Sequence, residues 1–463
     1  VPSFLCLVVL QLTRATPADV ALPALLQPDP VDRVLPALVS ETLARSPDDA
    51  RARADVSAQR ARVPQAGALP DPTLVLGIQN DGFQGIKIGV EPTSFWQVLM
   101  NVPLSWPGKR GLREQVAVSQ LAVAEAALQR VRLTLLGEVE RAYLDLRLVR
   151  GELGLQSRLE SLWMQAEEIA RSRYQVGEAP QSDLLRAQLE RTRLRLQRLA
   201  LEAAERTSIE GINRLRVQRL DTPVHTPVAL ADARLGPLPG PETLLADAEA
   251  RSPDLALAAR SAGTAEARVK SAYRERWPDL SLTAAIMPRG QLEPMWAASV
   301  GLTLPIYWWD KGSRAVDEAE AVRTSEQQGV ESVRQLLALR TIERHTALAS
   351  LLEALEVYRH GLLVQSDATV RSTLSQYRVG KVPFAAVLEV MRGLVGDEGG
   401  YLTTLADAER LLIGLREVNL QPPGVTRPGT AGRGTVPGSA VAGAPPTSSG
   451  AGAAAASASA PGM

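Results

Sequence analysis

"SRYQVGEAP", Ser172–Pro180, returns about two hundred residues later as "SQYRVGKVP", Ser375–Pro383. Each copy ends a long proline-free stretch, Gly108 to Ala179 in the first case and Ile306 to Val382 in the second. Gly177 and Gly380 can adopt the left-handed conformation that closes a helix C-terminus. Pro180 and Pro383 then suit the first turn of a returning helix. The nine residues therefore predict the tip of a long antiparallel helical hairpin, made twice. A helix of about 65–70 residues would run on the order of 100 Å, a length that soluble globular helices rarely reach.

Other landmarks repeat in the same order. "ARSPD" at Ala44–Asp48 returns at Ala250–Asp254, and "LPDPTLVLG" at Leu69–Gly77 has a counterpart in "WPDLSLTAA" at Trp277–Ala285. "VPLSWPGKRG" at Val102–Gly111 has a looser one in "LPIYWWDKGSR" at Leu304–Arg314. With the tips included, the offsets fall between 202 and 208, which marks a tandem duplication. The expected division is an export leader over 1–18, a first repeat over 19–220, a turn-rich linker over 221–240, a second repeat over 241–420 and a tail over 421–463. The leader rests on the apolar run "VPSFLCLVVLQL", for which a buried N-terminal strand is the alternative. No clear lipobox precedes Cys6. The tail, rich in Pro, Gly, Ala and Ser, has too few large apolar residues to offset its ordering entropy and is expected to be disordered.

Each repeat opens with a helix, about Leu35–Gln65 and about Pro241–Arg274, with its "SPD" either in a first turn or at a break between two helices. A short alternating region follows, then the long proline-free stretch. Ala117, Leu121, Ala124, Leu128, Val131 and Leu135 are spaced 4, 3, 4, 3, 4, a heptad seam. Ala347, Leu351, Leu355, Tyr358 and Leu362 continue it in the second repeat. The fold class is therefore mainly α with a small β part.

In the alternating regions, Leu74, Leu76 and Ile78 interleave with Thr73, Val75 and Gly77, and Trp96, Val98, Met100 and Val102 with Phe95, Gln97, Leu99 and Asn101. The second repeat sets Leu280, Leu282, Ala284 and Ile286 against Ser281, Thr283 and Ala285. It sets Trp296, Ala298, Val300, Leu302 and Leu304 against Ala297, Ser299, Gly301 and Thr303. That predicts four strands of about nine to eleven residues, the length of a tilted transmembrane strand. A soluble hairpin packed on its apolar face would alternate in the same way. The tryptophans favour the membrane: six of the seven, Trp96, Trp106, Trp277, Trp296, Trp308 and Trp309, lie in or at the ends of these strands, as interfacial aromatics do. Four strands cannot close a barrel, and open edges are not tolerated in lipid, so the chain is expected to oligomerise. Three copies would supply twelve strands and close a helical tube.

Composition excludes other classes. The 51 basic and 51 acidic residues balance, unlike the basic excess of a nucleic-acid binder. One cysteine rules out a disulfide framework, and His225, His345 and His360 lack ligand spacing, so neither metal nor cofactor is expected. "PGKRG" lacks the upstream glycine and the following Ser or Thr of a phosphate loop. No nucleophile elbow or paired cysteine is present, and an enzyme is the least favoured reading.

With these features in place, the chain from about Pro36 to Leu420 resembles the TolC-like family of outer-membrane efflux channels. The resemblance rests on the duplicated order of helix, strand pair, long helix, tip and return helix. It rests most specifically on "RYQVGEAPQSDLLRAQLE" and "QYRVGKVPFAAVLEVMRG". "VPLSWPGKRG" is similar to the heavy-metal-efflux branch. The resemblance implies a homotrimeric exit duct, a twelve-stranded barrel in outer-membrane lipid above an α-helical tunnel in the periplasm, working with a periplasmic adaptor (a membrane fusion protein) and an inner-membrane pump. It implies no catalysis and no nucleic acid.

The resemblance also assigns roles. Tyr174, Val176, Gly177, Tyr377, Val379 and Gly380 would form the adaptor-docking tips. The six tryptophans would mark the membrane interfaces. Asp183 and Glu389, at matching acidic positions, would line the periplasmic aperture; Ala386 stands where some members carry a second acid. Two rival readings are a periplasmic adaptor, which calls for one hairpin between all-β domains, and a coiled-coil scaffold, which leaves the tryptophan-bordered strands unexplained.

Overall fold

Ser46 and Ser252 decide how each repeat begins. The Ser46 hydroxyl accepts from the Asp48 amide at 3.2 Å and Ser252 from the Leu255 amide at 3.2 Å, with proline next in both cases. A serine cap followed by proline starts a new helix. Each "ARSPD" is therefore a break between two helices. In the computed structural model, which describes residues 32–423 apart from Gln84 and Arg234, these are α1 (Val34–Arg45) and α2 (Pro47–Gly67) in the first repeat. In the second they are α5 (Pro241–Arg251) and α6 (Pro253–Glu275). The expected leader, and the tail beyond 423, lie outside the described residues.

Strands β1 (Thr73–Gln79) and β2 (Phe95–Leu104), then β3 (Asp279–Arg289) and β4 (Leu292–Thr303), form one antiparallel sheet in the order β1-β2-β3-β4. β1 has 7 residues, shorter than expected. The Asn80 side chain ends it, donating to the Gly82 and Gly85 carbonyls at 2.9 and 2.8 Å and accepting from the Lys87 amide at 2.7 Å.

Helix α3 (Lys109–Gln175) is unbroken for 67 residues, and α4 (Gln181–Leu215) returns along it. The matching stretch of the second repeat is not continuous α-helix. A π-turn at Trp308–Gly312 leads into α7 (Ser313–Val357), a second π-turn spans Tyr358–Leu362, and α8 (Leu363–Arg378) follows. The second π-turn corrects the predicted seam. Leu351 and Leu355 are buried, but Leu362 is exposed, and Leu363 packs on the core in its place. A π-turn carries one residue more than an α-turn, which shifts every later side chain. Helix α9 (Phe384–Glu417) completes the second hairpin.

Helix α3 is the spine, touching α1, α2, α4, α6 and α9. One apolar cluster joins α3, α4, α8 and α9 in the half nearer the tips; a second joins α3, α5, α7 and α9 further up. The linker belongs to the second. Leu230 and Ala233 are buried in it, and Arg150 donates to Thr226 at 2.7 Å, strapping the segment to α3. No helix among the described residues is long and apolar enough to cross a membrane.

Candidate functional site

The two tips close in the same way. The Gly177 amide donates to the Tyr174 carbonyl at 3.0 Å and the Glu178 amide to the Arg173 carbonyl at 2.8 Å; Gly380 and Lys381 repeat the pair at 3.1 and 2.9 Å. This is the paired-bond ending that needs a left-handed residue, and Gly177 and Gly380 have φ of 77° and 76°. Pro180 and Pro383 sit one place earlier than the first helical turn, as the capping residues of α4 and α9.

Side-chain exposure breaks the symmetry of the tips. Tyr174, Val176 and Val379 are exposed, whereas Tyr377 is fully buried. Tyr377 is therefore not part of the exposed tip surface, a correction that follows from its surroundings. Its ring packs on Phe384 with centroids 5.3 Å apart, and the Arg173 guanidinium lies 4.9 Å above it. Its hydroxyl donates to the Asp183 carboxylate at 3.2 Å, and its carbonyl accepts from Arg173 at 2.9 Å. Burial, and then the neighbouring Asp183 carboxylate, pushes the phenol up to about 12. Arg392 on α9 adds a further link, donating to Glu190 on α4 at 2.7 Å.

The positions of Asp183 and Glu389 in their helices do not match. Asp183 is the third residue of α4, where α9 has Ala386; Glu389 is the sixth residue of α9, where α4 has Arg186. Asp183 is partly buried against the second hairpin, while Glu389 is exposed.

Further up, α3 and α9 are zipped by charge: Glu140–Arg416 at 2.9 Å, Arg141–Glu417 at 2.5 Å, Asp145–Arg410 at 2.7 Å, Arg147–Glu409 at 3.3 Å and Arg158–Glu398. Burial pushes the Glu140 carboxyl above the usual range in spite of Arg416. Glu167 behaves oppositely. Its hydrogen bond from Arg191 at 2.5 Å, helped by Gln188 and Arg171, outweighs burial and holds the carboxyl below the usual range.

The sheet sorts its two faces residue by residue. Register pairs Leu76 with Val98, Val98 with Ile286 and Ile286 with Trp296, and likewise Val102 with Leu282 and Leu282 with Val300. This whole face is apolar, and most of it is exposed. The opposite face pairs Thr73 with Asn101, Asn101 with Thr283 and Thr283 with Ser299, and Thr283 donates to Asn101 at 3.1 Å.

Tryptophans border both ends of the sheet. Trp96 and Trp296 lie toward the end away from the helices. Trp106, Trp277, Trp308 and Trp309 lie at the helix end, where Trp106 stacks on Trp277 at 5.6 Å. Buried Lys109 clamps that junction, reaching Asp279 at 3.0 Å and Glu275 at 3.3 Å, while the Trp106 amide donates to Asp279 at 2.9 Å. Sequence reasoning missed this clamp, although Lys109 and Asp279 both lie in repeated landmarks. It also missed Arg173 and Arg392, whose partners are about two hundred residues away and leave no local trace. No group of His, Cys, Asp and Glu among the described residues could hold a metal ion.

Two tandem helical hairpins thus carry one four-stranded sheet whose apolar face is largely exposed. The outer membrane efflux protein family model matches residues 38–215 and 244–415, and the chain belongs to that family. It is an outer-membrane efflux protein with its helices in the periplasm. No curated protein matches it in sequence.

Among solved structures it is similar to the outer-membrane channel OprN (19% identity, 84% of this chain and 91% of that one, TM-score 0.72). CusC is as similar (19%, 85% and 93%, 0.72), and VceC of Vibrio cholerae somewhat less so (17%, 84% and 97%, 0.67). These likenesses establish the fold.

Proposed function

We propose that three copies of this chain form the exit duct of a tripartite export system, passing on whatever an inner-membrane pump and a periplasmic adaptor deliver. The observation that carries this is the sheet itself. Its apolar face is largely exposed, and among the described residues β1 and β4 are both unpaired edges. Lipid tolerates neither a lone four-stranded sheet nor an open edge, and β1 of one copy pairing with β4 of the next removes every edge at twelve strands. In this reading the duct performs no chemistry; it opens and closes. Val176, Gly177, Val379 and Gly380, with Tyr174 beside them, meet the adaptor. The Tyr377–Asp183 link holds the second hairpin against the first in the closed state, and Glu389 contributes charge at the aperture.

The test is assembly. Full-length protein extracted in mild detergent from the outer-membrane fraction should have the mass of three chains by native mass spectrometry. A monomer in that fraction would overturn the proposal.

A further inference from the structure

We propose that Arg274 and Arg276, where the sheet meets the helices, hold the phosphate of an anionic phospholipid from the periplasmic leaflet of the outer membrane. The helices lie in the periplasm, so the helix end of the sheet meets that leaflet.

Arg276 caps the end of α6. Its guanidinium lies 5.5 Å over the Trp308 ring and makes no hydrogen bond or ion pair with any described residue. Arg274 lies 5.2 Å over Trp277, the ring that stacks on Trp106. Through Nε and Nη2 it donates to the Pro107 carbonyl at 3.1 and 2.6 Å, which fixes the guanidinium and leaves Nη1 without a partner among the described residues. Gly108 makes room for it: a Cβ there would stand 3.2 Å from the Arg274 Nε. Pro107 and Gly108 of "PGKRG" thus seat an arginine from the other repeat, a role that no phosphate loop supplies.

The charge here is one-sided. Arg274, Arg276 and Lys270 line a shallow cleft of about 380 Å³ that has no carboxylate in its lining. The acids around it are engaged elsewhere. Glu266 pairs with Lys270 at 2.8 Å, Glu320 accepts from the Tyr273 hydroxyl at 2.6 Å, and Glu275 pairs with Lys109 at 3.3 Å and with Arg113 at 2.8 Å. Asp310 and Lys311, next along the π-turn, cancel in net charge. Two guanidiniums are left with no carboxylate, and their planar forks match the oxygens of a phosphodiester.

An apolar path leads to these cations. Leu302 lies on the apolar face of the sheet, and it, Leu304, Ile306, Trp308 and Trp309 are all exposed. The path runs from the sheet to the ring that Arg276 covers. A phospholipid has the matching order, with acyl chains first and then a charged phosphate at the level of interfacial aromatics.

The repeat shows that the architecture does not require this cluster. At the offset of 208 that aligns Trp277 with Leu69, the counterparts of Arg274 and Arg276 are Ala66 and Ala68. The same helix-to-strand junction is therefore built in the first repeat without a base or a tryptophan at these places.

Native mass spectrometry of the full-length protein in detergent, with phosphatidylglycerol or phosphatidylethanolamine added, tests the proposal. Bound lipid is counted per chain, so the result does not depend on how many chains assemble. One phosphatidylglycerol per chain should bind, about tenfold more tightly than phosphatidylethanolamine, whose ammonium meets no free carboxylate in the cleft. Arg276→Gln should weaken phosphatidylglycerol about fivefold and leave the melting temperature unchanged, while Arg276→Lys should keep the preference between the two lipids.

Equal affinity for the two lipids overturns the proposal, as does an Arg276→Gln variant that binds like the parent. Glycerol 3-phosphate, which carries the phosphate without the chains, should not displace the lipid at millimolar concentration. Displacement would make this a site for free phosphate and would also overturn the proposal. A lowered melting temperature or a changed oligomeric mass in Arg276→Gln would show that Arg276 packs against a neighbouring copy instead of lipid.

Discussion

The hydroxyl of Tyr377, on the second hairpin, donates to the carboxylate of Asp183, on the first, across 3.2 Å. The two residues are 194 positions apart, and their contact ties the hairpins together one turn from the tips. Tyr377→Phe keeps the buried ring and removes only this bond. The expected loss of stability is about 1.5–3 kcal/mol, the range of a hydrogen bond to a charged partner, with a higher open probability in planar bilayers. Because burial and Asp183 raise the phenol to about 12, its stabilisation is complete below about pH 10 and is lost only as pH rises through the folded value. An open probability equal to that of the parent between pH 6 and 8 would remove the link from the gate.

The apolar sheet face gives a prediction with an internal control. Val98→Asp or Val300→Asp places a charge among the exposed apolar residues and should lower the yield of inserted protein, at a cost below the roughly 2–4 kcal/mol of a mid-bilayer Arg or Lys. Ser299→Asp, one residue away on the polar face, should insert normally. Outer-membrane fractionation compares the three, and the face assignment fails if Ser299→Asp is the damaging change.

Valine at Gly177 or Gly380 must occupy a left-handed backbone with φ near 77° or 76°. The strain is about 1–2 kcal/mol per residue, small beside the shared apolar core. Trimer yield should therefore stay near that of the parent while export falls, measured as intracellular accumulation of a pump substrate. Loss of the trimer itself would show that these turns serve assembly instead of docking.

Glu167 supplies a pH dependence. Its carboxyl lies below the usual range, so the folded state binds its proton more weakly than the unfolded chain does. The resulting stabilisation is present above the unfolded value of about 4.3 and disappears as pH falls through the folded one. The melting temperature should fall between about pH 5 and 3, and Glu167→Gln should flatten that slope while lowering stability at neutral pH. A slope unchanged in the variant would rule out this ion pair as its source.

Exposed Glu389 is the simplest test of charge at the aperture. Glu389→Gln should move the reversal potential under a salt gradient toward zero, most clearly at low ionic strength where screening is weak. No shift at either low or high salt would place the residue on an ordinary solvated helix face.

Much of this protein was legible in its residues alone. Gly177 and Gly380 signalled the tips, because a left-handed helix ending is a local event that few residue types permit. The alternation of Leu74–Ile78 and Leu280–Ile286 announced strands with one apolar face, because side chains on a strand point alternately to either side. Duplication was readable for a related reason: the same local signals recur in the same order.

The tertiary structure alone decided the rest. It turned Tyr377 inward and left its counterpart Tyr174 exposed, although both stand at the same place in the same motif. It joined Asp183 to Tyr377, left Glu389 exposed, and set Lys109 between Asp279 and Glu275. It also placed a π-turn at Tyr358 within a stretch whose heptads read as continuous α-helix. The physical reason is range. Turn chemistry and alternation act over a few residues and are written where they act, whereas burial and ion pairing depend on which distant helix arrives opposite, and nothing local records that.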